Sequence, residues 1–115
     1  MKTRKVKLNP DESLKYEDIT KDFDLLRFKQ EQSKKMKIRY NNPDDEQKTM
    51  IIESSDDIIQ VRTTELNIEA KTSEFIRLCF NMPKTLGNYT SCVYVRNKDN
   101  GEIEEILRFH MQVSN

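Results

Sequence analysis

From residue 34 onward the apolar residues of this chain recur with a period of two, and this limits its fold more than any other feature. In Lys35-Met36-Lys37-Ile38-Arg39-Tyr40 basic and apolar residues alternate without a fault. An extended backbone sends successive side chains to opposite faces, so Met36, Ile38 and Tyr40 share one face and Lys35, Lys37 and Arg39 the other. The turn residues Asn41-Asn42-Pro43-Asp44-Asp45 end that segment. Lys48 to Glu53 is a second candidate strand, and Ser54-Ser55-Asp56-Asp57 a second turn. Ile58-Ile59-Gln60-Val61 and Leu66-Asn67-Ile68 read as two short strands. Phe75 to Phe80 is a stronger one, with Ile76, Leu78 and Phe80 on one face; Pro83 and Gly87 close the connection after it.

The last stretch reads as a long hairpin. Tyr89 to Arg96 is rich in Thr, Val and Tyr, and Ile103 to Val113 returns with Leu107, Phe109, Met111 and Val113 alternating against Arg108, His110 and Gln112. Between them Asn100-Gly101 suits a tight turn with positive φ. No segment after residue 34 carries a helical stripe. With a strand at Phe23–Phe28, the chain offers seven to eight short strands at spacings of about 8–12 residues, which predicts an antiparallel β-sandwich. Tyr16, Ile19, Phe23 and Leu26 also fit helical spacing. The competing reading, an extended segment that becomes a strand at Phe23, is preferred because strand after strand follows. Residues 1–22 are then a polar N-terminal extension and 23–115 the sandwich. The expected core is Met36, Ile38, Tyr40, Ile76, Leu78, Phe80, Val93, Val95, Leu107 and Phe109.

Composition removes several function classes. The 115 residues suffice for one domain. A single His and two Cys cannot build a Cys/His zinc site of the usual kind. No run of 18 apolar residues is present, so no membrane span is expected. The basic start MKTRKVKLNP has no apolar stretch, so no signal peptide is expected. Net charge is zero, 20 residues of each sign, which gives no overall drive toward nucleic acid. The charge is unevenly placed, however. Residues 1–40 hold 12 Lys/Arg against 7 Asp/Glu, and residues 41–115 hold 8 against 13.

Catalytic material is sparse. His110 is the only imidazole and sits at an outward position of the alternation, where a lone strand residue needs no function. The pairs Asp44/Asp45, Asp56/Asp57 and Glu104/Glu105 fall in turns or at strand starts, and adjacent acids on a strand point to opposite faces. The two glycines, 14 residues apart, make no phosphate loop. Cys79 and Cys92 both fall on outward positions of strands that belong to opposite sheets in an Ig-like arrangement, so they are expected to be free thiols.

Four segments carry a family resemblance. They are Tyr40-Asn41-Asn42-Pro43, the corner Ser54-Ser55-Asp56-Asp57-Ile58-Ile59, the run Ile76-Arg77-Leu78-Cys79-Phe80 with Pro83 and Leu86-Gly87, and the hairpin from Val93-Tyr94-Val95 to Glu104-Glu105 and Phe109. In this order they resemble the Ig-like domains of the major sperm protein (MSP) class, in its ciliary and centrosomal ASH branch. The Ig-like modules of the nephrocystin-4 family, from a ciliary transition-zone protein, fit best. The resemblance covers about 90 of the 115 residues. It implies an MSP/ASH-type sandwich and a non-enzymatic interaction or scaffold module of a cilium, basal body, transition zone or axoneme. The implied location is cytoplasmic or cytoskeletal, the implied partners are other ciliary or cytoskeletal proteins, and no cofactor is expected. An alternative is an MSP-type adaptor that binds acidic peptide motifs through a basic face. The residues expected to contact an acidic partner surface are Lys35, Lys37 and Arg39 in one row, with Lys34 at the start of the strand. The bland alternative for that row is protection of an exposed sheet against aggregation.

Overall fold

A computed structural model describes residues 16–115. The expected polar extension therefore lies, up to residue 15, outside the described residues. After a single 3-10 turn at Glu17–Ile19 come eight strands: β1 (Thr20–Lys29), β2 (Ser33–Asn41), β3 (Lys48–Ser54), β4 (Ile59–Val61), β5 (Glu65–Ile68), β6 (Ser73–Asn81), β7 (Gly87–Asn97) and β8 (Ile103–Ser114). They form a five-stranded sheet in the order β1-β8-β7-β3-β5 and a three-stranded sheet in the order β2-β6-β4. The fold is an Ig-like β-sandwich.

The alternation read from the sequence builds the core. Ile76, Leu78 and Phe80 from the small sheet meet Val93, Val95, Leu107 and Phe109 from the large one, all essentially excluded from water. Phe80 stands edge-on to Phe109 at 5.1 Å, and Phe28 and Phe23 extend that aromatic column at 5.8 and 4.6 Å. Edge-to-face and offset rings add attraction beyond the area they bury. Met36 and Ile38 point into the sandwich but are only half-buried, because β2 is an edge strand with no neighbour on its outer side to close over them.

Three expectations are corrected. The sandwich is not antiparallel throughout: β1 runs parallel to β8, from Thr20 beside Ile106 to Lys29 beside Ser114. That strand begins at Thr20, three residues before Phe23. Tyr16 and Ile19 ahead of it pack on a small outer cluster of Tyr94, Ile103 and Ile106. The last hairpin turns through the longer loop 98–102, with Gly101 at φ 74 but Asn100 not in the left-handed region. Asn97 closes it, its carbonyl accepting from the Gly101 amide at 2.8 Å and its side chain from the Asp99 amide at 2.8 Å.

The thiols are free and lie in different sheets. Neither is openly exposed, against the sequence expectation. Cys79 is buried on the outer face between its cross-strand neighbours Lys35 and Gln60. Cys92 is half-covered by the outer cluster, and burial pushes its thiol pKa up.

Candidate functional site: a cationic sheet face

On the outer face of the three-stranded sheet the pairing register sets side chains in fixed columns. Lys35 sits opposite Cys79, Lys37 opposite Arg77 and Arg39 opposite Phe75. On the far side of β6, Gln60 sits opposite Cys79, and the Arg62 amide donates to the Arg77 carbonyl at 2.8 Å. Strand geometry spaces same-face residues by about 6–7 Å. Lys35, Lys37, Arg39, Arg62 and Arg77 thus share one surface, and no carboxylate stands in the columns between them. A shallow depression of about 450 Å³ is lined by Lys35, Lys37, Arg62 and Arg77, together with Met36 and Leu78. Phe75 is half-buried beneath two of the cations, with Lys37 Nζ 4.6 Å and Arg39 Cζ 5.7 Å from its ring centre. Each cation is attracted to the negative face of the ring.

The row therefore stands as expected for Lys35, Lys37 and Arg39, all exposed. Lys34 does not belong to it. It pairs with Phe80 and has the parity of Met36, so it lies on the opposite side of the strand. Arg62, Arg77 and Phe75 were missed by sequence reading. Arg77 was visible as the polar member of an alternating strand, but nothing local in sequence places it beside Lys37, 40 residues away.

Several cations of the five-stranded sheet are paired with carboxylates instead. Lys48, opposite the core residue Ile68 and so on the inner side of the sheet, is held by Asp44 at 2.6 Å and Glu104 at 2.9 Å, which together raise its pKa. Arg96 meets buried Glu53 at 2.9 Å, and Lys98 meets Glu65 at 3.0 Å. Asp22 accepts two hydrogen bonds from Arg108, at 2.6 and 3.0 Å, and lies 2.8 Å from His110 Nε2. Arg108 first and His110 second hold its carboxyl at a pKa of about 2. None of the five cations on the outer face of the small sheet has an ion pair among the described residues. In the five-stranded sheet Lys48, Arg96 and Arg108 are paired with carboxylates, whereas the five cations on the outer face of the small sheet have no such partner.

Among the described residues no group of three or more His, Cys, Asp or Glu side chains could hold a metal ion, and no helix is long and apolar enough to cross a membrane. His110, the only imidazole, serves Asp22 and lies 3.4 Å from Thr90 Oγ1.

The sequence profile of NPH4 Ig-like domain 4 matches residues 20–114, from the first residue of β1 to the last of β8. The chain belongs to the NPH4 Ig-like domain 4 family. No curated protein sequence matches it. Solved structures share the fold at low identity. WR4, an MSP family member of C. elegans, has a TM-score of 0.52 at 9% identity, over 83% of this chain and 92% of its own. The ASH/PapD-like domain 7 of human CEP192 has 0.55 at 10%, over 84% and 80%. The YadV chaperone has 0.57 at 12%, over 79% and 49%. In this NPH4-type domain the turn residues have visible work. Asn42 and Asp56 tie the corners of the two sheets together: the Ile58 amide and Ser91 Oγ both donate to Asp56 Oδ1, and the Cys92 amide donates to Ser55 Oγ.

Proposed function

We propose that this NPH4-type Ig domain is a non-enzymatic protein-interaction module of a ciliary, basal-body or transition-zone assembly, and that it docks an acidic partner surface on the outer face of its three-stranded sheet. The carrying observation is the set of five cations on that face with no carboxylate among them, while Lys48, Arg96 and Arg108 of the other sheet are each paired with a carboxylate. Family membership and the shared fold with a CEP192 ASH domain support the setting. Complementary potential steers encounter and sets orientation, and its effect falls as salt rises.

The test is a Lys35→Glu, Lys37→Glu, Arg39→Glu variant expressed as a proximity-labelling fusion in a ciliated cell. Surface changes of this kind shift stability by about 0.5 kcal/mol or less each, so the far-UV spectrum should match the parent. The expected result is loss of ciliary or centrosomal neighbours from the labelled set. A folded variant that keeps the parent's neighbours refutes the docking face. Endoplasmic-reticulum neighbours for the parent would favour the MSP-type adaptor for acidic peptide motifs instead.

A further inference from the structure

The cationic row and the open edge of the small sheet belong to the same residues. The Asn42 amide donates to the Thr72 carbonyl at 2.9 Å, and the Met82 amide to the Gln32 carbonyl at 2.9 Å. The register between β2 and β6 runs unbroken from Ser33 beside Asn81 to Asn41 beside Ser73. In an antiparallel pair the main-chain groups of successive residues point alternately toward and away from the neighbour. The even-numbered residues of β2 therefore bond to β6. Ser33, Lys35, Lys37, Arg39 and Asn41 aim their N–H and C=O groups at the open side.

Of the sheet edges, this one is long and regular. β2 has nine residues, no proline and no bulge. β4 and β5 have three and four residues, and β1 carries an irregularity between Phe23 and Leu26. No residue of β2 has a hydrogen bond or ion pair on its outer side among the described residues. On the inward side, Met36 and Ile38 are left half-buried.

We infer that β2 takes up an extended segment of a partner protein as an added strand, and that this guest alternates acidic with apolar residues. The inference rests on the docking role proposed for the same face. Directly opposed residues on neighbouring strands point to the same side of a sheet. A guest residue hydrogen-bonded to Lys35, Lys37 or Arg39 therefore turns its side chain to the cationic face, where a carboxylate meets unneutralised charge. The guest residues between them fall beside Met36 and Ile38, where apolar side chains complete the cover that an edge strand lacks. Main-chain bonds supply the affinity and alternate side chains the selectivity, as in strand addition generally.

The experiment uses blocked nine-residue peptides and the full chain at low ionic strength. One peptide alternates Glu with Val, and a second has the same composition in two blocks. Two more are the alternating peptide N-methylated at three Glu or at three Val positions. Binding is read by fluorescence anisotropy, and the β2 amides by hydrogen exchange. The alternating peptide should bind and slow exchange at Lys35, Lys37 and Arg39. Methylation at Glu should weaken it about tenfold or more, and methylation at Val should leave it unchanged, because each methyl at a Glu removes a donor that faces β2. The reverse parity would mean a parallel guest and still an added strand. Equal binding by the block peptide, with no parity in the methylation effect, overturns strand addition while leaving face docking intact. No binding by any of the four overturns strand addition as well, and the charge-reversal experiment in cells then decides the docking face by itself.

Discussion

Asn42 is the residue on which the link between the two sheets turns. It is buried at the end of β2, and its side-chain amide donates to the carbonyls of Glu46 at 2.8 Å, Ile68 at 3.2 Å and Glu69 at 3.3 Å. Its own oxygen accepts from the Asp44 amide at 3.1 Å, shaping the turn before Pro43 passes into the loop. Asn42→Ala removes three donated hydrogen bonds, one of them buried, a loss of about 1–3 kcal/mol. Asn42→Asp should cost more, since it sets a carboxylate against those same carbonyl oxygens. Urea midpoints of the two variants, with unchanged slope, check both the size and the order; an Asp variant as stable as the Ala one would remove this role. The sequence marked Asn42 only as a turn former. Its reach to Ile68 and Glu69 was not legible there, because those partners lie 26 and 27 residues along the chain.

At the level of single elements, β1 is the strand whose placement depends most on side chains. Inside, Phe23 stacks on Phe109 of β8; outside, Asp22 is clamped by Arg108 and His110 of the same strand. Between Phe23 and Leu26 the register shifts, so Phe23, Leu26 and Phe28 all reach the core side. This irregularity accounts for the helical spacing of Phe23 and Leu26 in the sequence. One extra residue in a strand puts apolar side chains three apart on one face, which is also the helical spacing. The regular strands β2 and β6 carried no such ambiguity, and their facing was legible residue by residue.

The clamp has a definite pH signature. The Asp22 carboxyl sits at about 2 in the fold against 3.8 when free. A depressed carboxylate contributes stability above its unfolded value and loses it as the pH falls through its folded value. The attachment of β1 should therefore be intact at neutral pH and weaken only between about pH 4 and pH 2. In Asp22→Asn, that acid-sensitive step should be missing. Carboxyl carbon shifts of Asp22 followed by NMR, beside hydrogen exchange of the β1 amides, give the measurement. An Asp22 that titrates near its free value would show the clamp to be open in solution.

Over the whole molecule, stability rests on the contact between the sheets, and the small sheet supplies it through few side chains. Leu78 and Phe80 are fully excluded from water and lie on the central strand of the three. Leu78→Ala should cost about 2–5 kcal/mol through the cavity it opens, a large share of the 5–15 kcal/mol typical of such domains. A calorimetric or denaturant measurement with no loss would mean that β6 is turned the other way. This much was legible in sequence, because a buried face imposes strict alternation on a strand. The make-up of the cationic face was only partly so. Lys35, Lys37 and Arg39 are neighbours along one strand, whereas Arg62 and Arg77 join them only through the order β2-β6-β4.

The parallel pairing of β1 with β8 also fixes how the domain bears load. Thr20 lies beside Ile106 at one end of the ladder, while Lys29 lies beside Ser114 at the other. Tension applied between residues 20 and 114 therefore pulls the two strands past one another along their length. Every hydrogen bond of the ladder is strained together, and the Asp22–Arg108 clamp and the Phe23–Phe109 stack lie across the sliding plane. An antiparallel hairpin pulled from its two ends would peel open one bond after another. The first and last strands of this sandwich instead form a lap joint, with the force borne in shear.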